Sequence, residues 1–97
     1  MGGITFDSKR EADRYLVLKG MEEDRLIEDL RRQVRYELVP AFDVGGRHYR
    51  PIYYVADFVY VEDGEEVVED VKGMVTDVYK LKSKLFARRY GKAIKET

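Results

Sequence analysis

Asp63-Gly64 stands between two runs of residues that read as strands, Ile52 to Glu62 and Glu65 to Lys72. An Asp-Gly loop takes up positive φ at both central positions, closes a tight β-hairpin and sets its register. Glu62 then faces Glu65, and Asp57 faces Asp70. Directly opposed residues on antiparallel strands share a face, with Cβ atoms about 4.5 to 5.5 Å apart. Lys72 projects from the same face, two residues beyond Asp70. Val55, Val59, Val61 and Val68 are assigned to that face too, so the acids lie in apolar company. Two bare carboxylates about 5 Å apart repel by roughly 3 kcal/mol at an effective dielectric of 20. A domain of this size has about 5 to 10 kcal/mol of stability in all. The pair must therefore share a proton, hold a cation or lean on Lys72. Oxygen-only ligation suits Mg²⁺ or Mn²⁺ rather than zinc. The plain structural reading is a salt bridge on a strand surface. Against it stands the position of Asp57 inside Tyr54-Val55-Ala56-Asp57-Phe58-Val59, where the strand propensity of aspartate is poor.

The rest of the chain supplies the frame. Ser8-Lys9-Arg10-Glu11 reads as a capping box opening a helix that ends near Glu23 or Asp24. Ala12, Tyr15, Leu16 and the stem of Lys19 form its inward stripe, while Arg10, Asp13 and Arg14 look outward. Glu11 lies one turn below Tyr15 and two below Leu18, at the edge of the buried face. Val34, Tyr36 and Leu38 alternate with polar residues as a half-buried strand does. Val44-Gly45-Gly46-Arg47 is a glycine turn, and the long strand from Ile52 follows it. Gly73 ends the returning strand. Thr76 or Asp77 caps a second helix with the stripe Val78, Leu81, Leu85 and Tyr90, Phe86 beside it, and Gly91 closes it. Lys92 to Thr97 is a candidate last strand. The order is α-β-β-β-α-β in a single domain, residues 1–97.

Composition narrows the function. Cysteine is absent, which excludes a disulfide scaffold, thiolate metal sites and cysteine nucleophiles. No apolar run approaches the roughly 20 residues of a membrane helix. The charged residues among the first twenty positions point away from a secretory signal, and Phe6 occupies the place of the Ser or Thr that a myristoylation site beginning Met1-Gly2 requires. The expectation is a cytoplasmic protein that does not engage membranes. Net charge is −1, but unevenly spread: residues 1–75 hold 11 Lys+Arg against 17 Asp+Glu, and residues 76–97 hold 7 against 2. A basic C-terminal helix suits a polyanion, although a solvated lysine-rich helix looks the same. The chain has no Asn and one Gln, an amide depletion seen in thermophile proteins.

Taken together, these residues resemble a known family. The αβββαβ order, with Glu11 in the first helix, Asp57 on the middle strand and Asp70-Val71-Lys72 on the next, is similar to the PD-(D/E)XK nuclease pattern. The blocks Phe6-Asp7-Ser8-Lys9-Arg10-Glu11-Ala12, Tyr49-Arg50-Pro51-Ile52-Tyr53-Tyr54-Val55-Ala56-Asp57-Phe58 and Val68-Glu69-Asp70-Val71-Lys72-Gly73 resemble a small phage-encoded branch long catalogued as a domain of unknown function. That branch has been associated with Holliday-junction-resolvase-type nucleases. Ala56 stands where the superfamily name has proline. The resemblance implies an α/β, restriction-endonuclease-like core with a central antiparallel meander in a mixed sheet flanked by two helices. It implies one or two Mg²⁺ or Mn²⁺ ions on Asp57, Asp70 and the Val71 carbonyl, with Glu11 reaching the site directly or through water. Lys72 would orient or deprotonate water and stabilise charge on phosphate.

The expected activity is hydrolysis of DNA phosphodiester bonds, on branched DNA in phage recombination, replication or packaging, by a homodimer. A nuclease nicking linear or single-stranded DNA, or a non-catalytic DNA-binding module, are the alternatives. Lys80, Lys82, Lys84 and Arg88 are the DNA-contacting candidates, with Arg31, Arg32, Arg35, Arg47 and Arg50 as an extension. Glu69 falls on the face opposite Asp70 and reads as structural or as a support behind the site residues. His48 reads as a solvent-facing loop residue, and Tyr53, Tyr54 and Tyr60 as packing.

Overall fold

The turn at Asp63 and Gly64 has φ of 53° and 79°, the left-handed pair that a two-residue hairpin requires. It joins β4 (Ile52–Glu62) to β5 (Glu65–Asp70) with Glu62 opposite Glu65 and Phe58 opposite Glu69. The computed structural model describes residues 3–72 and 74–97; Met1, Gly2 and Gly73, the expected end of the returning strand, lie outside the described residues. Ahead of the hairpin come α1 (Lys9–Glu23), β1 (Glu28–Val39), β2 (Phe42–Val44) and β3 (Arg47–Tyr49); behind it come α2 (Asp77–Tyr90) and β6 (Lys95–Glu96).

The main sheet has the order β1-β4-β5-β6, antiparallel except for the parallel β5–β6 pair. Helix α1 packs on one face through Leu18 against Ile27, Phe58 and Tyr60. Helix α2 packs on the other through Tyr79 and Phe86 against Leu38, Tyr54, Val59 and Val68. This is the expected α/β core, with one addition: β2 and β3 form a separate small hairpin around Gly45 and Gly46. Residues 40–50 are exposed throughout, and Phe42 and Tyr49 stack there at 4.8 Å.

Both helices begin at the expected caps, but the capping box at Ser8 is half formed, because the Glu11 carboxylate, expected to cover a free amide, turns to Gln33 and Arg32. Ser8 Oγ accepts from the Glu11 N–H, and Thr76 Oγ1 from the Tyr79 N–H. Gly91 closes α2 at φ 68°. The stripes differ from expectation. In α1, Leu16 is 54% exposed and Lys19 is outside, whereas Arg14 turns inward to a fully buried Glu69. In α2, Val78 and Leu81 are exposed while Tyr79 and Phe86 fill the core. In α1 the inward positions go to Leu18 and to Arg14, which meets Glu69; in α2 aromatic rings provide more contact area than Val or Leu and take the inward position. Glu69 accepts from Arg14 Nε at 2.8 Å, Arg14 Nη2 at 2.9 Å and Tyr60 Oη at 2.7 Å. Burial pushes its carboxyl up, but these donors and Thr97 hold it below the ordinary glutamate range. The structural reading of Glu69 stands.

Candidate functional site

Strand β4 changes faces at Asp57. Tyr54 and Ala56 pack toward α2, yet Phe58 and Tyr60, of the same parity, pack toward α1. Strand β1 does the same opposite: Val34 joins the α2 cluster, while Arg32 lies over the Phe6 and Tyr15 rings on the α1 side. The two switches coincide, because Arg32 pairs with Phe58 and Val34 with Ala56, leaving Gln33 opposite Asp57. Gln33 carries the switch in its backbone, at φ 52°. Val55 therefore leaves the face shared by Val59 and Val68, contrary to expectation, and is 45% exposed.

The acidic pair keeps company despite that switch. Asp57, Asp70, Lys72 and Glu11 line one open cleft of about 550 Å³, together with Gln33, Tyr54, Tyr79 and Lys82. The β4–β5 ladder ends at Phe58 and Glu69. Beyond it, Asp57 Oδ2 accepts the backbone N–H of Val71 at 2.8 Å, a side chain taking the place of the next rung. Asp57 is half-buried, and that burial pushes its carboxyl up to about 6. The Val71 N–H works against the shift, and the charges of Asp70 and Glu11 reinforce it.

Asp70 is buried and fully engaged. Tyr54 Oη donates to Oδ2 at 2.6 Å, and Lys72 Nζ lies 2.9 Å from Oδ1. Lys72 is also seated on the Tyr79 ring, 3.7 Å from its centroid, so a carboxylate and a π-face fix one ammonium. Tyr79 is itself anchored, donating to Glu96 Oε2 at 2.8 Å. Strand β6 holds the motif's backbone: the Thr97 N–H donates to the Asp70 carbonyl at 2.9 Å and the Lys72 N–H to the Thr97 carbonyl at 3.0 Å.

Glu11 is buried at the start of α1, and its carboxylate is not spent on Ser8. Oε1 accepts from Gln33 Nε2 at 3.1 Å and from Arg32 at 3.4 Å. Gln33 Nε2 also lies 3.5 Å from Asp57 Oδ1, bridging two acids. Among the described residues, no three His, Cys, Asp or Glu side chains converge closely enough to enclose an ion. Asp57 and Asp70 are the two acids that line the cleft from β4 and β5, with Glu11 joined to Asp57 through the Gln33 amide.

Sequence reasoning missed Gln33, Tyr54 and Tyr79 as cleft residues. For the tyrosines no signal separated core from site. Gln33 did stand out as the single Gln in a chain without Asn. Lys80, Lys84 and Arg88 are exposed on α2 at intervals of four, one face of the helix, and Lys82 leans into the cleft. None of the four forms an ion pair among the described residues. Of the further arginines, Arg32 is committed to Glu11 and Arg31 to Glu66. His48 is exposed, 3.0 Å from Asp43. Tyr54 and Tyr60 are core, and Tyr53 lies under Arg35.

No helix is long and apolar enough to cross a membrane among the described residues. No curated protein and no solved structure shows significant similarity to the chain. The sequence model of the family described as "Protein of unknown function (DUF1064)" matches residues 1–97, and the protein belongs to that family.

Proposed function

We propose that the protein is a metal-dependent endodeoxyribonuclease. One observation carries the reading: two aspartates from neighbouring strands share an open cleft, one of them raised to about 6, with a lysine bonded to the other. A carboxyl raised by burial and by like charges is a group whose anion lacks compensation, and a hard divalent cation supplies it. Mg²⁺ takes one or two carboxylates and fills its remaining positions with water and phosphate oxygens, so two aspartates suffice. Asp57, Asp70 and the Val71 carbonyl would hold the ion, and Glu11 would act on its water shell. When bound, the ion polarises the phosphoryl group and lowers the pKa of water.

The chain's own groups do the rest. Lys72, held by Asp70 and Tyr79, is a fixed cation for charge developing on the phosphate. Tyr54 orients Asp70 through a charge-assisted hydrogen bond. Lys82 at the cleft and Lys80, Lys84 and Arg88 along α2 would neutralise successive backbone phosphates. The resemblance of the sequence blocks to the PD-(D/E)XK nucleases supports the same reading, and extends it to branched DNA. A four-way junction has two-fold symmetry and needs two cuts, which suits a homodimer of small domains.

The test incubates purified protein with Mg²⁺ or Mn²⁺ and either a four-way junction or linear duplex of matched sequence. Metal-dependent cleavage, abolished in Asp70→Asn and Lys72→Ala variants that remain folded, is the expected result. Equal cutting of both substrates would remove the preference for branched DNA. Binding without cleavage under any metal would leave a DNA-binding module and end the enzyme reading.

A further inference from the structure

Gln33 joins three observations that the nuclease reading does not use. Its backbone sits at φ 52° in the middle of a strand, where a β-carbon is sterically penalised and glycine is not. It stands opposite Asp57, where both strands change faces. Its Nε2 reaches Glu11 Oε1 at 3.1 Å and Asp57 Oδ1 at 3.5 Å.

A carboxamide nitrogen carries two N–H donors, so one group serves two carboxylates. The flipped amide would aim its oxygen at both acids, which fixes the orientation. The amide is also neutral. A lysine there would satisfy the acids equally well but would cancel the charge that a cation needs, and a third acid would add to the repulsion. Glutamine spaces the carboxylates without adding a second cation to the one that Arg32 already brings to Glu11.

We propose that Gln33 is a positioning residue of the cleft: its strained backbone aims a neutral double donor that sets the separation of Glu11 and Asp57 for a divalent cation. The spacing role is independent of the nuclease reading; the cation role rests on it.

The single Gln and absent Asn make the test specific, because Gln33 supplies the sole side-chain carboxamide pair in a ¹⁵N–¹H correlation spectrum. In metal-free parent protein these protons exchange with water several-fold more slowly than those of free glutamine, and Glu11→Ala and Asp57→Ala each shift the pair. Signals at free-glutamine positions, unmoved by both variants, overturn the proposal. Two substitutions test the cation role. Gln33→Gly suits the left-handed backbone, so it folds with a thermal midpoint close to the parent's, yet its metal affinity and cleavage fall about 10- to 100-fold, the usual cost of losing a group that orients a ligand. Raised Mg²⁺ partly restores its rate. Gln33→Lys loses the midpoint rise that Mg²⁺ gives the parent. A glycine variant with the parent's Mg²⁺ dependence refutes the cation role. Absence of any cleavage by the parent would remove the nuclease reading and leave the carboxamide signals to decide the spacing role.

Discussion

Asp57 accepts the backbone N–H of Val71, the residue that lies between Asp70 and Lys72. One 2.8 Å bond thus ties an acid on β4 to the motif at the end of β5, while β6 grips that motif from its other side. The cleft opens because a side chain has replaced a rung of the sheet.

That arrangement makes Asp57 a liability in metal-free protein. Its folded value of about 6 lies above the ordinary 3.8, so the folded chain binds its proton more tightly than the unfolded chain does. Stability therefore falls as pH rises from about 4 to about 6 and levels off above. Asp57→Asn keeps an acceptor for Val71 and removes the charge. After discounting for solvent at a half-buried site, the variant gains about 1 to 2 kcal/mol above pH 6 and nothing below pH 4. Urea unfolding in EDTA across that range checks it; parallel parent and variant curves would contradict the burial argument.

Asp70 serves both stability and the site. Asp70→Ala leaves Tyr54 Oη and Lys72 Nζ without their buried partner and costs about 3 to 5 kcal/mol. Asp70→Asn keeps a partner for Tyr54 and costs less. In the proposed nuclease both are expected to abolish metal-dependent cleavage, and circular dichroism with activity per folded molecule separates the two effects.

The Arg14–Glu69 pair is the opposite case, buried yet remote in role. Glu69→Gln is expected to cost about 3 kcal/mol by stranding Arg14, with cleavage per folded molecule unchanged. Glu69 is held below its ordinary value, so its contribution is complete above that value and is lost as pH falls through the lower folded one. Acid unfolding of the parent and variant should converge. A large fall in turnover of folded variant would place Glu69 in the site after all.

In the proposed nuclease the α2 face would act through charge alone. Replacing Lys80, Lys84 and Arg88 with alanine is expected to weaken DNA binding across sequences and reduce the salt slope by about 3. Cleavage at saturating DNA should persist. An unchanged slope in a filter-binding titration would move the DNA surface elsewhere.

Much of this molecule was legible in local chemistry. Asp63-Gly64 admits one tight turn, so the β4–β5 register from Glu62–Glu65 to Phe58–Glu69 followed from two residues; the expected Asp57–Asp70 rung is absent, and the two acids share the cleft through the bond from the Val71 N–H to Asp57 instead. Ser8 and Thr76 cap because their hydroxyls reach free N–H groups three residues on. What local pattern could not decide was rotation and partnership. Leu16 and Val78 yield their inward places because the competing positions meet a partner across the sheet. Gln33 became part of the cleft only when tertiary structure set it against Asp57 and turned both strands over at that pair. Such a turn is a compromise between two packed faces, and no window of sequence on one strand contains both.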